Sequence, residues 1–125
     1  MSFITRLRSE TPDAIAPDGS EVRILASTAC GSMAEFLLPP GKISIAVAHH
    51  TVEEVWFFTQ GQGQLWRKNE TAEEIVQIHP GLSISIPVGT HFQFRNDGTN
   101  PLKAIGTTMP PWPGPNEAFF VKGKW

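Results

Sequence analysis

Residues 41 to 61 of the chain read Gly41-Lys-Ile-Ser-Ile-Ala-Val-Ala-His-His-Thr-Val-Glu-Glu-Val-Trp-Phe-Phe-Thr-Gln-Gly61. Two adjacent histidines and two adjacent carboxylates lie here between an apolar, β-branched run and an aromatic-rich run. A glycine bounds each side, as is typical of strands that end in turns. Polar residues that can bind a metal or move a proton, set between apolar strands, favour a site inside a barrel over a solvated loop.

Short apolar runs of this kind recur along the chain at the spacing of antiparallel β-proteins. Turn sequences rich in glycine and proline separate them, and no segment has apolar residues at helical spacing over a length that would predict a helix. The runs predict strands at residues 22–25, 34–38, 43–49, 55–59, 64–67, 74–78, 82–86, 91–95 and 102–107. This many short strands in one small chain predict an all-β domain, either a closed barrel or a two-sheet jelly roll.

Size and charge exclude several classes of protein. The chain has 125 residues and a net charge of -2, which predicts one domain with a single core and no nucleic-acid partner. No apolar run is long enough to span a bilayer, and the first ten residues lack the apolar core of a secretory signal. The single cysteine, Cys30, cannot form an internal disulfide and is predicted to be a small buried residue. These observations predict a cytoplasmic protein without a membrane partner.

The two ends of the chain differ from its strand-rich middle. Residues 1–20 combine a weakly alternating opening, Phe3 to Arg8, with a turn-rich segment. They predict an N-terminal arm or an edge strand, which pairs either with its own sheet or with a partner subunit. Residues 21–108 are predicted to form the barrel. Residues 109–125 start with prolines that prevent regular structure, and their aromatic side chains predict a tail that packs on the barrel or on a partner.

The stretch 41–61 resembles the first motif of the cupins, a family of small jelly-roll β-barrels. That motif is Gly, five residues, His-x-His, three or four residues, Glu, six residues and Gly. This chain keeps the spacing throughout, with Gly41, Val47-Ala48-His49, Glu54 and Gly61 at the matching positions. The resemblance implies that residue 47, His49 and Glu54 lie inside a barrel.

A second stretch resembles the other motif of the family, which is Gly, five residues, Pro-x-Gly, two residues, His, three residues and Asn. Here Gly81, Pro87-Val-Gly89, Phe92 and Asn96 follow that spacing. The two motifs cover about residues 36 to 108 and are similar to those of small single-domain bacterial cupins of the type-2 kind. The resemblance implies a double-stranded β-helix, which is a jelly-roll β-barrel, and a homodimer.

The chain departs from the family at the metal ligands. Metal-binding cupins hold the ion with three histidines and one glutamate, whereas this chain keeps only His49 and Glu54 and has Val47 and Phe92 at two histidine positions. His91 lies one residue from a family position, and a turn before it could bring its side chain inward. Two histidines and a carboxylate suit a divalent ion such as Fe, Mn, Ni or Zn. A metal held by His49, Glu54 and His91 is therefore one alternative, and a metal-free aromatic pocket is the other.

The aromatic residues around these positions predict a pocket for a small molecule. By strand alternation Trp56 and Phe58 share a face with Glu54, and Phe94 shares one with Phe92. Such rings line pockets for flat or apolar ligands, with core packing as the alternative for each of them. The predicted pocket is lined by His49, Glu54, Val47, Trp56, Phe58, Phe92 and Phe94.

Two classes of function remain open at this point. In the first, the chain is a non-catalytic binding or sensing module whose barrel holds an aromatic or carboxylate ligand, and the two missing metal ligands favour this class. In the second, it is a small-molecule enzyme, an isomerase or a dioxygenase-like cupin, that uses His49 and Glu54 with or without a metal. Burial raises the pKa of a carboxyl, so Glu54 beside His49 could act as a general acid or base. A further interpretation is that the two side chains only hydrogen-bond each other.

Overall fold

The computed structural model describes residues 2–125, and these residues fold into eleven β-strands. The strands are β1 (Ala14–Ile15), β2 (Glu21–Ser27), β3 (Ser32–Leu38), β4 (Val47–His49), β5 (Glu53–Gln60), β6 (Gly63–Lys68), β7 (Glu73–Ile78), β8 (Ser83–Ile86), β9 (His91–Asn96), β10 (Leu102–Met109) and β11 (Ala118–Phe120). A short 3-10 helix, Pro115–Glu117, precedes β11. Among the described residues no helix is long and apolar enough to cross a membrane.

The strands form two antiparallel sheets that pack face to face. The first sheet has the order β1-β2-β3-β10-β5-β8, and the second has the order β11-β4-β9-β6-β7. Strands that are distant in the chain are neighbours in space, as where β10 lies between β3 and β5. This arrangement is a double-stranded β-helix, and it confirms the predicted all-β jelly-roll fold.

The core lies between the sheets and is built from alternate residues of each strand. Along β5 the side chains of Glu54, Trp56 and Phe58 are buried, whereas Val55 and Phe57 are half exposed on the outer face. Burial of one large apolar side chain stabilises a fold by about 1.5–3 kcal/mol. The largest fully buried apolar side chains are those of Phe58, Phe92, Phe94, Leu38, Leu65, Ile78, Ile86 and Leu102. The inward-facing half of each strand therefore supplies most of the hydrophobic stabilisation.

The N-terminal arm does not form a strand over the alternating opening. Residues 2–12 contain no strand, and the first pairing occurs instead at Ala14–Ile15, which pairs with β2. Arg8 donates a hydrogen bond of 2.7 Å to Glu35, and the guanidinium of Arg23 donates to two backbone oxygens of the arm. Charged side chains therefore attach residues 8–10 to the first sheet, and strand pairing begins only at β1.

The C-terminal tail returns to the second sheet after its proline-rich segment. Strand β11 pairs with β4, which places Ala118 opposite His49. The carboxylate of Glu117 accepts hydrogen bonds from the backbone N–H groups of Thr51 and Val52 and from the Thr51 hydroxyl. The tail therefore packs on the barrel of its own chain and fixes the loop that follows His49.

Two local predictions are wrong. The strand predicted over residues 43–49 is shorter in the structure and comprises only β4. Ile43 makes a single bridge to Arg95. The N–H groups of residues 44 and 45 donate to the backbone oxygens of Phe94 and Asp18. Cys30 was predicted to be buried, and it is exposed because it lies in the turn between β2 and β3.

Candidate functional site

A cavity of about 470 Å³ lies inside the jelly roll. Strands of both sheets contribute to its walls, and Ile15 near the N terminus and Trp112 in the tail line it as well. Pockets of this volume accommodate small organic molecules. The fold therefore provides a partly open site whose walls include segments from both ends of the chain.

Five of the seven predicted pocket residues line this cavity, namely Val47, His49, Glu54, Trp56 and Phe92. Phe58 and Phe94 do not line it, because they lie deeper in the hydrophobic core, where the ring of Phe94 packs on Trp56 at a centroid distance of 5.4 Å. Alternation placed both on the inner face, but it could not show how far the cavity extends along each strand. For these two residues the structure favours core packing.

His49 and Glu54 lie side by side in the cavity wall. Strand β4 ends at His49, and the short loop to β5 brings Nδ1 of His49 within 3.3 Å of Oε2 of Glu54. Both side chains are buried, with 7% and 3% of their surface exposed. In the described part of the chain this Nδ1 has no hydrogen bond of good geometry. This nitrogen is therefore shielded, and the polar atom it faces is the Glu54 carboxyl.

Burial sets the protonation state of this pair. Desolvation lowers the pKa of His49 from 6.5 to about 4, although the negative charge of Glu117 acts in the opposite direction. Desolvation also raises the pKa of Glu54 from 4.5 to about 8, and the nearby carboxyl of Asp18 adds to the rise. At neutral pH the cavity therefore contains a neutral base beside a mostly protonated acid, which is a combination suited to proton transfer.

Asp18 is a cavity residue that the sequence did not indicate. Its Oδ1 accepts hydrogen bonds from the backbone N–H of Ser20 at 2.9 Å and from the Ser20 hydroxyl at 2.6 Å. Burial raises the pKa of Asp18, against the effect of these hydrogen bonds. The sequence Pro17-Asp-Gly-Ser is typical of an exposed turn, and only the docking of this turn on the barrel, where Ile45 N–H donates to the Asp18 backbone oxygen, turns the carboxyl inward.

Aromatic rings form much of the remaining wall. The ring of Trp56 lies 4.9 Å from that of Phe36 and 5.8 Å from that of Phe92, between centroids. Trp112 of the tail packs edge-on against His49 at 5.2 Å. The indole N–H of Trp56 is buried and lies close enough to the Glu54 carboxyl to lower the pKa of Glu54, against the larger effect of burial. The cavity wall therefore combines aromatic surface with buried polar groups.

The structure does not bring the predicted metal ligands together. His91 lines a separate groove, away from the cavity that contains His49 and Glu54. The two other positions that match ligands of the family are occupied by Val47 and Phe92, which pair directly across β4 and β9. In residues 2–125 there is no group of three or more His, Cys, Asp or Glu side chains that could hold a metal ion. The residues present therefore do not fit the ion that three histidines and one glutamate hold in the metal-binding cupins.

Comparison with known proteins gives one family and one curated relative. Residues 34–108 match the family described as Cupin domain. The protein MJ1618 of Methanocaldococcus jannaschii, itself uncharacterized, is 32% identical over 81 residues, which are 65% of this chain and 62% of that protein. The match thus spans less than two thirds of the length of that relative.

Several solved structures are similar in fold. The capsular polysaccharide assembling protein CapF of Staphylococcus aureus superposes with a TM-score of 0.69 at 19% identity, over 94% of this chain and 34% of CapF. An uncharacterized Klebsiella pneumoniae protein with a double-stranded beta-helix domain gives 0.67 at 12%, over 95% of this chain and 91% of that one. A recombinant oxalate oxidase in complex with glycolate gives 0.71 at 18%, over 90% of this chain and 60% of the oxidase. At these identities the likeness shows the fold alone.

Proposed function

Because the chain belongs to the cupin family, whose sequence pattern spans residues 34–108, we propose that it binds a small organic molecule inside its barrel. The observation that carries this proposal is a cavity of about 470 Å³ whose wall combines aromatic rings with the buried polar groups of Asp18, His49 and Glu54. Burying a polar group without its full set of hydrogen bonds costs about 1–3 kcal/mol of stability. A bound molecule can pair with these groups, whereas a wall that served only for packing would be apolar.

A catalytic role is the second candidate, and the His49–Glu54 pair favours it. The two side chains lie 3.3 Å apart in one cavity, and the opposite shifts of their pKa values leave a neutral base and a neutral acid at neutral pH. Such a pair supports an isomerase-type reaction, in which a proton leaves one substrate atom and another proton is added elsewhere. A dioxygenase-like reaction would need the metal ligands that Val47 and Phe92 replace, so it has less support from these residues.

Trp56→Phe tests the binding site by replacing one ring of its wall with a smaller one. A thermal-shift screen first supplies a ligand, since a bound molecule raises the melting temperature. The variant is then expected to bind that ligand about tenfold more weakly in isothermal titration, because the ligand loses part of its aromatic contact surface. Trp66→Phe is the matched control, since the indole of Trp66 donates to Glu73 at 2.8 Å and does not line this cavity. Equal weakening by both variants, or none by Trp56→Phe, would contradict the proposal.

We also propose that the chain forms a homodimer through the outer face of the first sheet. Val55 and Phe57 project from the middle of this face and are each 49% exposed. Strand β10 lies between β3 and β5 and pairs with Glu35 on one side and with Phe57 on the other. Because Glu35 also binds Arg8 of the arm, the arm lies next to this face. The arm next to this face carries apolar side chains with almost no contacts, since Phe3 is 102% and Leu7 is 95% exposed. A two-fold related copy would cover both surfaces with one self-complementary interface.

Phe57→Asp is expected to convert this dimer into a monomer. A charge at the centre of an apolar interface would have to be desolvated without a partner. Size-exclusion chromatography with light scattering measures the molar mass directly. Ile75→Asp, on the outer face of the second sheet and 43% exposed, is the control and should leave the dimer intact. A monomeric wild type, or a Phe57→Asp variant that remains dimeric, would refute the assignment of this face.

A further inference from the structure

The ionisable groups that line the cavity are mostly acidic. Among its lining residues there are two carboxyl groups, those of Asp18 and Glu54, and no Lys or Arg side chain. His49 is the one basic group of the lining, and burial holds its pKa at about 4, so its imidazole is neutral at neutral pH. An anionic ligand would therefore be desolvated without meeting a positive charge, which is costly in a buried site. A cationic ligand would meet two groups that can ionise to pair with it.

The two carboxyl groups come from different parts of the chain. Asp18 belongs to the turn before β2, and Glu54 lies near the start of β5, so they approach the cavity from separate elements. They are close enough for the charge of Asp18 to affect Glu54. Ser20 engages only Oδ1 of Asp18. A positively charged group between them would satisfy both carboxyls and would lower the pKa of each by its charge.

Aromatic side chains supply a second feature that favours a cation. Phe36, Trp56, Phe92 and Trp112 all line the cavity. The face of an aromatic ring attracts an ammonium group, most strongly for tryptophan, and cages of such rings recognise organic ammonium ions in other proteins. The carboxyl groups do not form a metal-binding cluster with His49 among the described residues. The cation that fits is therefore an organic one.

We propose that the cavity selects a small organic amine in its protonated form, with the charged nitrogen between Asp18 and Glu54 and an apolar body against Trp56 and Phe92. This inference rests on the proposed function, because it names the class of ligand for the same cavity. It replaces the carboxylate ligand of the sequence-based alternatives, since Asp18 was not expected there.

Binding of such an amine has a consequence for protons. Glu54 is mostly protonated at neutral pH in the free protein, because burial raises its pKa to about 8. A cation beside it favours the ionised form, so binding releases a proton from the site and tightens as the pH rises toward 8. A cation also favours the ionised form of Asp18, whose pKa is raised by burial, so this group contributes to proton release in the same direction. His49 is already neutral and Glu117 is already ionised at neutral pH, so neither releases a proton on binding.

Three probes of nearly the same shape and different charge test this inference. They are benzylamine, which is protonated at neutral pH, benzyl alcohol and benzoate, each added at millimolar concentration and followed by saturation-transfer NMR. We expect benzylamine to bind about tenfold more tightly than benzyl alcohol, and benzoate to bind most weakly. Glu54→Gln and Asp18→Asn should each reduce binding of benzylamine by a larger factor than they reduce binding of benzyl alcohol, because only the amine loses a charge pair. Asp97→Asn, an exposed carboxylate paired with Arg95, is the control.

The outcomes separate this inference from the proposed function. Tighter or equal binding of benzyl alcohol or benzoate would overturn the preference for a cation and leave a small-molecule site in place. Absence of saturation transfer to all three probes would overturn both. Asp18→Asn removes the charge of a buried, hydrogen-bonded group, so its fold is checked by near-ultraviolet circular dichroism. If it does not fold, the comparison of probes on the wild type and on Glu54→Gln still decides the matter.

Discussion

Glu54→Gln is expected to stabilise the protein above pH 8, by on the order of 5 kcal/mol. In the wild type, burial raises the pKa of Glu54 from 4.5 to about 8, so the folded state keeps a proton that the unfolded state loses. Because the folded state binds more protons in this window, the free energy of unfolding falls as the pH rises from 4.5 to about 8. Glutamine has the shape of the protonated carboxyl and does not titrate, so the variant avoids this loss.

His49 contributes the opposite slope at lower pH. Burial lowers its pKa from 6.5 to about 4, so the unfolded state binds the additional proton and the free energy of unfolding rises with pH in that window. The two slopes cancel up to about pH 6.5, and the decline of the wild type is concentrated between there and pH 8. Asp18, whose pKa burial also raises, adds a decline of its own that remains in the variant.

Urea unfolding at a series of pH values measures this prediction. The wild type should lose about 2 kcal/mol between pH 6.5 and pH 8, whereas Glu54→Gln should show a much shallower decline. Glu53→Gln is the matched control, because the neighbouring carboxylate is exposed on the opposite face of β5 and its loss should leave the wild-type decline intact. A decline as steep in Glu54→Gln as in the wild type would show that Glu54 is ionised in the folded state at neutral pH.

The same variant separates the two classes of function. Since it keeps or improves stability, any loss of activity reports on chemistry rather than on folding. If the chain is an enzyme that uses Glu54 as an acid or base, turnover is abolished while the melting temperature does not fall. If the chain only binds its ligand, no reaction is lost, and the effect appears in affinity alone.

Gly63→Ala is expected to reduce the free energy of unfolding by about 3 kcal/mol or more, or to prevent folding. A Cβ atom at this position would lie 1.9 Å from the backbone oxygen of Arg95. Arg95 belongs to β9, which pairs with β6 through Gly63 and its neighbours. Because the obstructing atom belongs to the backbone, it cannot rotate away, and the two strands must separate where β6 begins.

Gly98→Ala provides the control for this prediction. A Cβ atom at Gly98 would meet its nearest neighbour, Oδ1 of Asn96, at 3.6 Å, which is an ordinary contact. We expect a change within about 0.5 kcal/mol for Gly98→Ala and a fall in melting temperature of roughly 10 °C for Gly63→Ala. Similar effects of the two substitutions in thermal unfolding would contradict the close approach of β6 and β9.

Alternation and short apolar runs predicted the positions of β2 to β10, although β4 is shorter than expected, because such patterns are local properties of the sequence. Strands β1 and β11 have two and three residues and lie in segments without such a pattern. Each exists because a neighbouring strand offers hydrogen bonds to it, so its position depends on contacts with residues far away in the chain. Long-range contacts also explain why the strand predicted over residues 43–49 is shortened at its start. The N–H of Ile45 donates to the backbone oxygen of Asp18 in the docked turn and is therefore not part of a strand pairing.

The candidate site could be predicted in part. Spacing indicated that His49, Glu54 and Trp56 share an inner face, and the structure brings them together at one cavity. Asp18 and Glu117 gave no such signal, because one lies in a turn sequence and the other in a proline-rich tail, and tertiary docking buries both. A sequence pattern describes which way a side chain faces along its own strand, but not what the ends of the chain place opposite it.

The tail has a consequence for the speed of ligand exchange. Pro111, Trp112 and Pro115 form part of the cavity wall. The tail that carries them is attached to the barrel through the three residue pairs of β11 with β4, through Glu117, and through Gln93, which bonds residues 124 and 125. If fraying of this strand admits the ligand, the same event releases it, and a change that loosens β11 accelerates association and dissociation together. The equilibrium constant is then set by the cavity, whereas the residence time of the ligand is set by a short strand at its edge.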